Sequence, residues 1–546
     1  MTPKMKLDQN ERNGGAPAWT RSFLENQDET VFWQYPKRIR AEETWADFMK
    51  CKPSELVMTN GSDEAIATLF GSLKANTPVV LPLPAFGVFI HQCNQWPVDA
   101  RLLPPGPELG IDGEAVERQL EEIEDGLLVI TRPNNPTGEC MSKDRLRKWI
   151  ELAAKRGNRV LLDEAYAEFS NQTCVDWIHP FSNLLVMRTL SKAYGLAGFR
   201  IGLLFGSAEL VSPIRERLMP FNLSSPAVEL ACAATQPEAQ KDVSNYTQQI
   251  RANRSLLQAA LEEWGVDVCA SEANFLLLRL GSPRNTLVQR FLSSQGIAVR
   301  LFDRPELEGT LRITVPLNLT ELMEPLAKIL KPDLICLDVD GCLMDVSSSF
   351  DQAIVETVSL FSDSPPEAQE ITELRMTSGF NNDFELSREL LRRRGYDLDL
   401  PKVTQIFERC YWGEPSGTGA CSNETPLVSE STMDFLYGRF KTALVTGRNR
   451  AELEPVLQLQ PFKKIDFPVS VDDVTKGKPD PEGILKAQKT FNTRRTWMVG
   501  DNVDDILAGK ASGSVTLGIG LANQEALYRA GADMVLEHID EIRRLL

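Results

Sequence analysis

The sequence predicts an α/β protein built on doubly wound sheets, and three observations carry that expectation. Short apolar runs recur along the chain, among them Leu127–Ile130, Val160–Leu162 and Leu334–Leu337. Each gives way to a polar or glycine-bearing turn holding a lysine, a carboxylate, an amide or a hydroxyl, and in such sheets ligands collect outside the carboxyl ends of the strands. The chain is also too long for one core: at 546 residues, a guide of roughly 150 residues per domain predicts three or four lobes.

Composition narrows the function classes. Hydrophobic content of 42% and charged content of 25% describe an ordinary globular protein that can bury sizeable cores. A net charge of −17 opposes attraction to nucleic acid or to an anionic membrane. Any phosphate site must therefore be built locally from arginines, lysines, backbone amides or a metal. Ten cysteines without a CxxC pair read as reduced thiols of a cytoplasmic protein. No apolar stretch reaches membrane-span length, and Met1 to Lys6 is too short for a signal or transit peptide before motif-like sequence begins. None of the three histidines lies in a recognisable catalytic setting, so proton transfer falls on lysine and carboxylates.

In chain order, Lys6 to Glu11 precedes a Gly-Gly-Ala-Pro segment and reads as an extended arm, and Tyr35-Pro36 as a loop. Glu55–Thr59 reads as a strand entering a helix through Asn60-Gly61-Ser62-Asp63, where a glycine turn presents free amides to an anion. Ser62 or Asp63 could equally be an N-cap. Val79–Leu81 runs into a proline-delimited loop holding Phe86, which could cover a flat cofactor or fill the core. Leu127–Ile130 leads to Arg132-Pro-Asn-Asn135-Pro-Thr-Gly138, and Arg159–Asp163 to Glu164-Ala165-Tyr166, so Asn135 and Asp163 face one crevice. Leu184 onward leads to Thr189, Ser191 and Lys192, with Arg200 eight residues further on. A lysine so placed suits a covalently held anionic cofactor, although a solvated Ser-Lys turn is the simpler alternative.

Taken together, Gly61-Ser62-Asp63, Phe86, Asn135-Pro-Thr-Gly138, Asp163-Glu-Ala-Tyr166, Ser191-Lys192 and Arg200 resemble the fold-type I pyridoxal-phosphate aminotransferases. The amino-terminal Lys-Leu-Asp-Gln-Asn-Glu, Ser271–Phe275, and Gly296–Arg300 through Leu311–Val315 resemble the histidinol-phosphate aminotransferase branch. The resemblance implies pyridoxal 5'-phosphate as cofactor and Lys192 as Schiff-base lysine and proton carrier. It implies Asp163 opposite the ring nitrogen, Asn135 and Tyr166 at the ring oxygen, and Phe86 on the ring face. Gly61, Ser62, Asp63, Thr189, Ser191 and Arg200 would surround the phosphate, with Tyr35 reaching the neighbouring subunit of a homodimer. Arg312, with Arg300 and Asn10 nearby, would bind the anionic end of the substrate. Two departures from the family pattern, Arg12-Asn13-Gly14-Gly15 after Asn10-Glu11 and Pro316 after Val315, leave other phosphorylated or aromatic amino acids open as substrates.

In the second half, Leu319–Leu330 reads as an amphipathic helix kinked at Pro325, and Lys331-Pro332-Asp333 alone separates it from a new strand. Leu334–Leu337 ends in Asp338-Val339-Asp340-Gly341, where alternate carboxylates can face one metal. Lys441–Val445 leads to Thr446-Gly447-Arg448, a proline-fixed turn holds Lys478, and Trp497–Gly500 leads to Asp501-Asn-Val-Asp-Asp505. This order resembles the haloacid-dehalogenase-like hydrolases, with a Rossmann-like core and a helical cap from Val346 to Phe440. The resemblance implies Asp338 as nucleophile, Asp340 as general acid and base, and Thr446, Gly447 and Lys478 around the phosphoryl group. It implies Mg2+ held by Asp338, Asp340 and Asp501 together with the Val339 carbonyl, with Asp505 completing the metal set or supporting Lys478. Asp340 favours phosphoryl transfer over dehalogenation, since a leaving alkoxide needs a proton. The turn Thr377–Asp383 either lines the cap pocket or is an N-capped loop.

The expected organisation is an aminotransferase over 1–330 (arm 1–30, large domain 31–215, small domain 216–330) and a phosphatase over 331–546 (core 331–345 and 441–546, cap 346–440). The expected function is bifunctional, transamination of a small phosphorylated amino or keto substrate and hydrolysis of a phosphate ester, as in making and dephosphorylating histidinol phosphate. Phosphohydroxypyruvate passing through phosphoserine, or a phospho-amino-acid decarboxylase, would use similar sites. In a further alternative the carboxyl half only senses phosphate or supports a dimer. Expected partners are a small amino donor and a phosphorylated substrate, with neither nucleic acid nor membrane.

Overall fold

The computed structural model of the chain describes residues 3–346, 349–377, 380, 382–414 and 418–546. Two compact units emerge, Met1–Asn285 with Gly296–Met323, and Thr286–Gln295 with Glu324–Leu546.

The first unit holds a seven-stranded sheet of β1 (Leu56–Asn60), β2 (Pro78–Pro82), β3 (Asp99–Leu103), β4 (Leu127–Thr131), β5 (Arg159–Asp163), β6 (Leu184–Thr189) and β7 (Ile201–Gly206). Their order is β1-β7-β6-β5-β4-β2-β3. Only β7 runs antiparallel, to both β1 and β6; the other pairs are parallel. The central strands are apolar on both faces because helices cover both sides: β4 is buried throughout, and β5 and β6 at all but one residue. Helix α1 (Gly61–Gly71) turns Ala65, Ile66, Leu69 and Phe70 into that core. A smaller antiparallel sheet contains β8 (Asp267–Val268), β9 (Phe275–Arg279) and β10 (Thr310–Thr314), in the order β10-β9-β8.

The arm is extended where expected. Met5–Lys6 pairs in parallel with Ile297–Ala298, and the Thr314 amide donates to the Leu7 carbonyl at 3.0 Å. The expected arm, 1–30, is not extended throughout: Ala18–Glu25 within it is a helix, and a second helix, Thr30–Trp33, follows.

The second unit holds a six-stranded sheet of β11 (Leu334–Leu337), β12 (Lys441–Val445), β13 (Phe467–Val469), β14 (Thr496–Gly500), β15 (Val515–Ile519) and β16 (Met534–Leu536). The order is β13-β12-β11-β14-β15-β16, and every pair is parallel. Between β11 and β12 the chain leaves the sheet to form the helical cap: α2 (Phe350–Ser359), α3 (Ala368–Arg375), α4 (Asp383–Arg393) and α5 (Leu400–Trp412). Phe350 centres the cap core, its ring 4.7 Å from Tyr411 and 5.9 Å from Phe407.

Thr320–Leu330 is one helix with Pro325 inside it, where the sequence reading placed a kink, and the two units part within it, after Met323. Its last turn is tied to the second unit: Lys328 Nζ donates to the Gly513 carbonyl at 2.8 Å, and Trp497 Nε1 to the Lys328 carbonyl at 3.1 Å. Among the described residues no helix is long and apolar enough to cross a membrane.

Candidate active sites

The carboxyl ends of β4, β5 and β6 open into a cavity of about 700 Å³, lined by Asn135, Asp163, Tyr166, Thr189, Ser191 and Lys192. The start of α1 adds Ser62 and Asp63; Asn10, Phe86, Arg200, Arg300 and Arg312 complete the set of expected residues. Ser62 and Asp63 are not caps, because α1 begins at Gly61 after Asn60. Asp63 instead accepts from Arg200 Nη2 at 2.6 Å. Gly61 has a left-handed φ of 72°, and a Cβ there would lie 2.5 Å from Arg200 Nη2, so the residue lets the guanidinium close on the helix start. Tyr35 stands outside this lining, 76% exposed and stacked on Phe221 at 4.3 Å.

Asp163 is 3% exposed, and burial pushes its carboxyl up to about 7. A cationic ring nitrogen would restore its charge. Lys192 Nζ donates to the Gln9 carbonyl at 2.9 Å, and burial, with Arg312 nearby, lowers its amine to about 8. Tyr166 Oη accepts from Asn10 Nδ2 at 3.0 Å and Asn135 Nδ2 at 3.3 Å. Arg312 donates to Asn135 Oδ1 at 2.6 Å and to the Asp8 carbonyl at 2.8 Å. Burial lowers Arg312 to about 10, and its Nε has no partner among the described residues. Thr189 Oγ1 donates to Ser191 Oγ at 2.9 Å. The arrangement lines one cavity with a lysine of lowered basicity and an acid that holds its proton more tightly than usual, which a flat cationic ring would relieve, and with hydroxyls and an arginine that suit an anion. The residues present therefore fit a pyridoxal phosphate.

The second crevice lies at the carboxyl ends of β11, β12 and β14. Asp338, Asp501 and Asp505 bring carboxylate oxygens within 4.8 Å of one another. Lys478 Nζ bridges Asp338 at 2.5 Å and Asp505 at 2.6 Å. Burial first, then Asp505, raises Asp338 to about 7; burial with Asp505 and Asp338 raises Asp501 well above the usual range. Two buried acids, Asp338 and Asp505, and the half-buried Asp501 against one lysine form a donor set with surplus negative charge, which a hard dication relieves. Gly341 makes the approach possible: its φ is 70°, and a Cβ would fall 2.1 Å from Asp501 Oδ2.

Asp340 is not in that cluster. Arg448 takes it, Nε donating at 2.8 Å and Nη2 lying 2.6 Å away. The Val339 carbonyl accepts the Leu343 and Met344 amides at 2.8 Å each, so this oxygen serves the turn, contrary to the expected ligand set. Gly447 lines the cavity, whereas Thr446 is buried and accepts from the Arg448 amide at 3.1 Å. Of the turn Thr377–Asp383, Phe380, Asn382 and Asp383 line the cavity and Asn382 also caps α4, so both readings of it hold; Ser378, Gly379 and Asn381 lie outside the described residues.

Sequence reasoning assigned no role to Arg448, Glu424, Arg375, Glu452 or Gln9. Arg448 follows a strand-end motif and could have been marked; the others come together only in space. Arg448 also reaches Glu424 at 3.0 Å and lies over the Phe350 ring at 4.9 Å.

Residues 2–330 match the family model for aminotransferase class I and II, and residues 332–513 that for haloacid dehalogenase-like hydrolase. A histidinol-phosphate aminotransferase of Chlorobaculum tepidum is 32% identical over 335 residues, 60% of this chain and 94% of that protein. The histidinol-phosphate aminotransferase of Sinorhizobium meliloti, solved in complex with pyridoxal-5'-phosphate, superposes with a TM-score of 0.54 at 22% identity, over 59% of this chain and 90% of that one. An L-threonine-O-3-phosphate decarboxylase from Porphyromonas gingivalis gives 0.53 at 19% identity, over 60% and 99%. These two likenesses are of fold.

Proposed function

This chain belongs to the class I and II aminotransferases and carries a haloacid dehalogenase-like hydrolase domain behind the aminotransferase; from that premise we propose that it aminates a small phosphorylated keto compound and hydrolyses a phosphate ester, with histidinol phosphate as the leading candidate. The observation that carries this reading is the pair of crevices, one gathered around Lys192 and Asp163, the other around Asp338, Asp501 and Asp505. The name and 32% identity of the Chlorobaculum tepidum relative support the substrate class. The division near residue 330 and a homodimer, with exposed Tyr35 and Phe221 at its interface, belong to the same proposal. Ten free cysteines support a cytoplasmic setting.

In the first crevice Lys192 would hold pyridoxal phosphate, which when bound supplies an electron sink for bonds at the substrate's α-carbon. Asp163 would face the ring nitrogen, Asn135 and Tyr166 the ring oxygen, and Phe86 one ring face. Ser62, Thr189, Ser191 and Arg200 would anchor the phosphate. Lys192 Nζ moves the proton: an amine titrating near 8 both accepts and returns it at neutral pH. Arg312 Nε is left over for an anionic substrate group.

In the second crevice Asp338, Asp501 and Asp505 would hold Mg2+, which lowers the charge on the phosphoryl group. Asp338 attacks phosphorus, and Lys478 neutralises the oxygens. Asp340, held by Arg448, gives a proton to the leaving alkoxide and afterwards takes one from the water that attacks phosphorus, frees Asp338 and releases phosphate.

The test is a panel of amino donors and phosphorylated keto compounds, followed for amino product and for free phosphate. Asp338→Asn should abolish magnesium-dependent phosphate release and leave transamination intact. If the wild-type protein releases phosphate from no ester, the second half of the reading fails.

A further inference from the structure

The second crevice contains a carboxylate that neither the metal cluster nor the phosphoryl chemistry uses. Glu452 is 3% exposed and lines the cavity. Its Oε2 accepts the Asn449 amide at 3.0 Å, completing a capping box for the helix Arg450–Gln458. Its Oε1 has no hydrogen-bond partner among the described residues. A buried carboxylate oxygen left unmatched beside an open cavity is costly unless something else fills it.

The cations along the cavity are already matched. Arg375 is paired with Asp351 at 2.5 Å and Asp383 at 2.9 Å, and Arg448 with Asp340 and Glu424. These are the two cations among the described lining residues, so an ester bearing a carboxylate meets no uncommitted positive charge. Phe350, Phe384 and Leu427 supply an apolar wall. A space of about 280 Å³ with a phosphoryl site, an apolar wall and one unsatisfied carboxylate oxygen suits a small ester whose body carries a positively charged N–H donor.

We propose that Glu452 receives the ammonium group of the phosphatase substrate, making the second crevice selective for phosphate esters of amino alcohols over esters that lack the amine or carry a carboxylate. This rests on the reading of that crevice as a phosphatase. The reaction supplying such a substrate is amination of a phosphorylated carbonyl compound, the class assigned to the first crevice. Glu452 is a specificity residue: it touches the substrate's amine and takes no part in bond breaking.

The experiment compares kcat/KM for histidinol phosphate with that for its des-amino analogue, 3-(imidazolyl)propyl phosphate, in the full-length protein with Mg2+. The wild type should prefer the amine by about ten- to a hundredfold. Glu452→Gln keeps an acceptor for the Asn449 amide and should collapse that ratio toward one, mainly through KM for the amine. Glu452→Asp, which keeps the charge, should recover part of it. Because the ratio is taken on one protein sample, partial misfolding cancels. Equal losses on both esters in Glu452→Gln would make the residue a helix cap only and overturn the proposal. Hydrolysis of both esters by the wild type without preference would overturn it while leaving the phosphatase reading intact; hydrolysis of neither would remove both.

Discussion

Lys192 shows how a residue acquires its chemistry from its surroundings. Burial and then the Arg312 charge depress its amine to about 8, against an ordinary value near 10.5. The neutral, nucleophilic form therefore gains from pH 8 upward instead of from above 10. Labelling of cofactor-free protein with an amine-reactive reagent, resolved at Lys192 by mass spectrometry, should rise with a midpoint near 8, and Arg312→Met should move that midpoint upward. A midpoint above 10 in the wild type would contradict the assignment. The sign for stability follows: a depressed folded value means this group's contribution is present above its unfolded value and is lost as pH falls through about 8. Asp163 behaves in the opposite sense. Its raised value, about 7, favours the cofactor-free fold at low pH and disfavours it as pH climbs from the ordinary carboxylate range through 7.

At the scale of elements, each crevice depends on a strand ending in a turn that only certain residues can make. The turn after β11 brings Gly341 against Asp501, with φ at 70° and room for no Cβ. Gly341→Ala adds roughly 1–2 kcal/mol of backbone strain and displaces the Asp501 carboxylate. The Mg2+ concentration for half-maximal phosphate release should rise by about tenfold or more, with transamination unaltered. An unchanged magnesium requirement would remove Asp501 from the metal set. In the arm, β-pairing of Met5–Lys6 with Ile297–Ala298 carries the chain to Gln9 and Asn10, whose carbonyl and amide meet Lys192 and Tyr166. Arg12 then anchors the segment, 2.6 Å from Asp242 and over the Tyr246 ring at 4.2 Å. The departure from the family pattern at Arg12-Asn13 thus has a structural use: Asn13 accepts the Leu317 amide at 2.7 Å and donates to the Val315 carbonyl at 3.0 Å, next to Pro316.

Across the whole molecule, the two crevices sit in separate compact units with separate cores, so each should fail alone. A chelator should stop phosphate release and spare amino transfer, whereas Lys192→Ala should cut amino transfer below about a hundredth and spare phosphate release. Loss of both activities in either experiment would show that the units are not functionally separable. The strands bearing the site residues were legible because fully buried parallel strands leave unbroken apolar runs, and the turns after them because glycine, proline and asparagine leave local marks. Arg159–Asp163, Leu334–Leu337 and Lys441–Val445 fall where those runs place them. Such features depend on neighbours in sequence, so residue order alone determines them. The pairing of Arg448 with Asp340 and Glu424, the Gln9 carbonyl on Lys192, the Val339 carbonyl given to its own turn, and the unmatched oxygen of Glu452 were decided only by tertiary structure. Charge pairing and burial arise between segments distant along the chain, and no local pattern records which partner a side chain will meet once the sheets and the cap have closed.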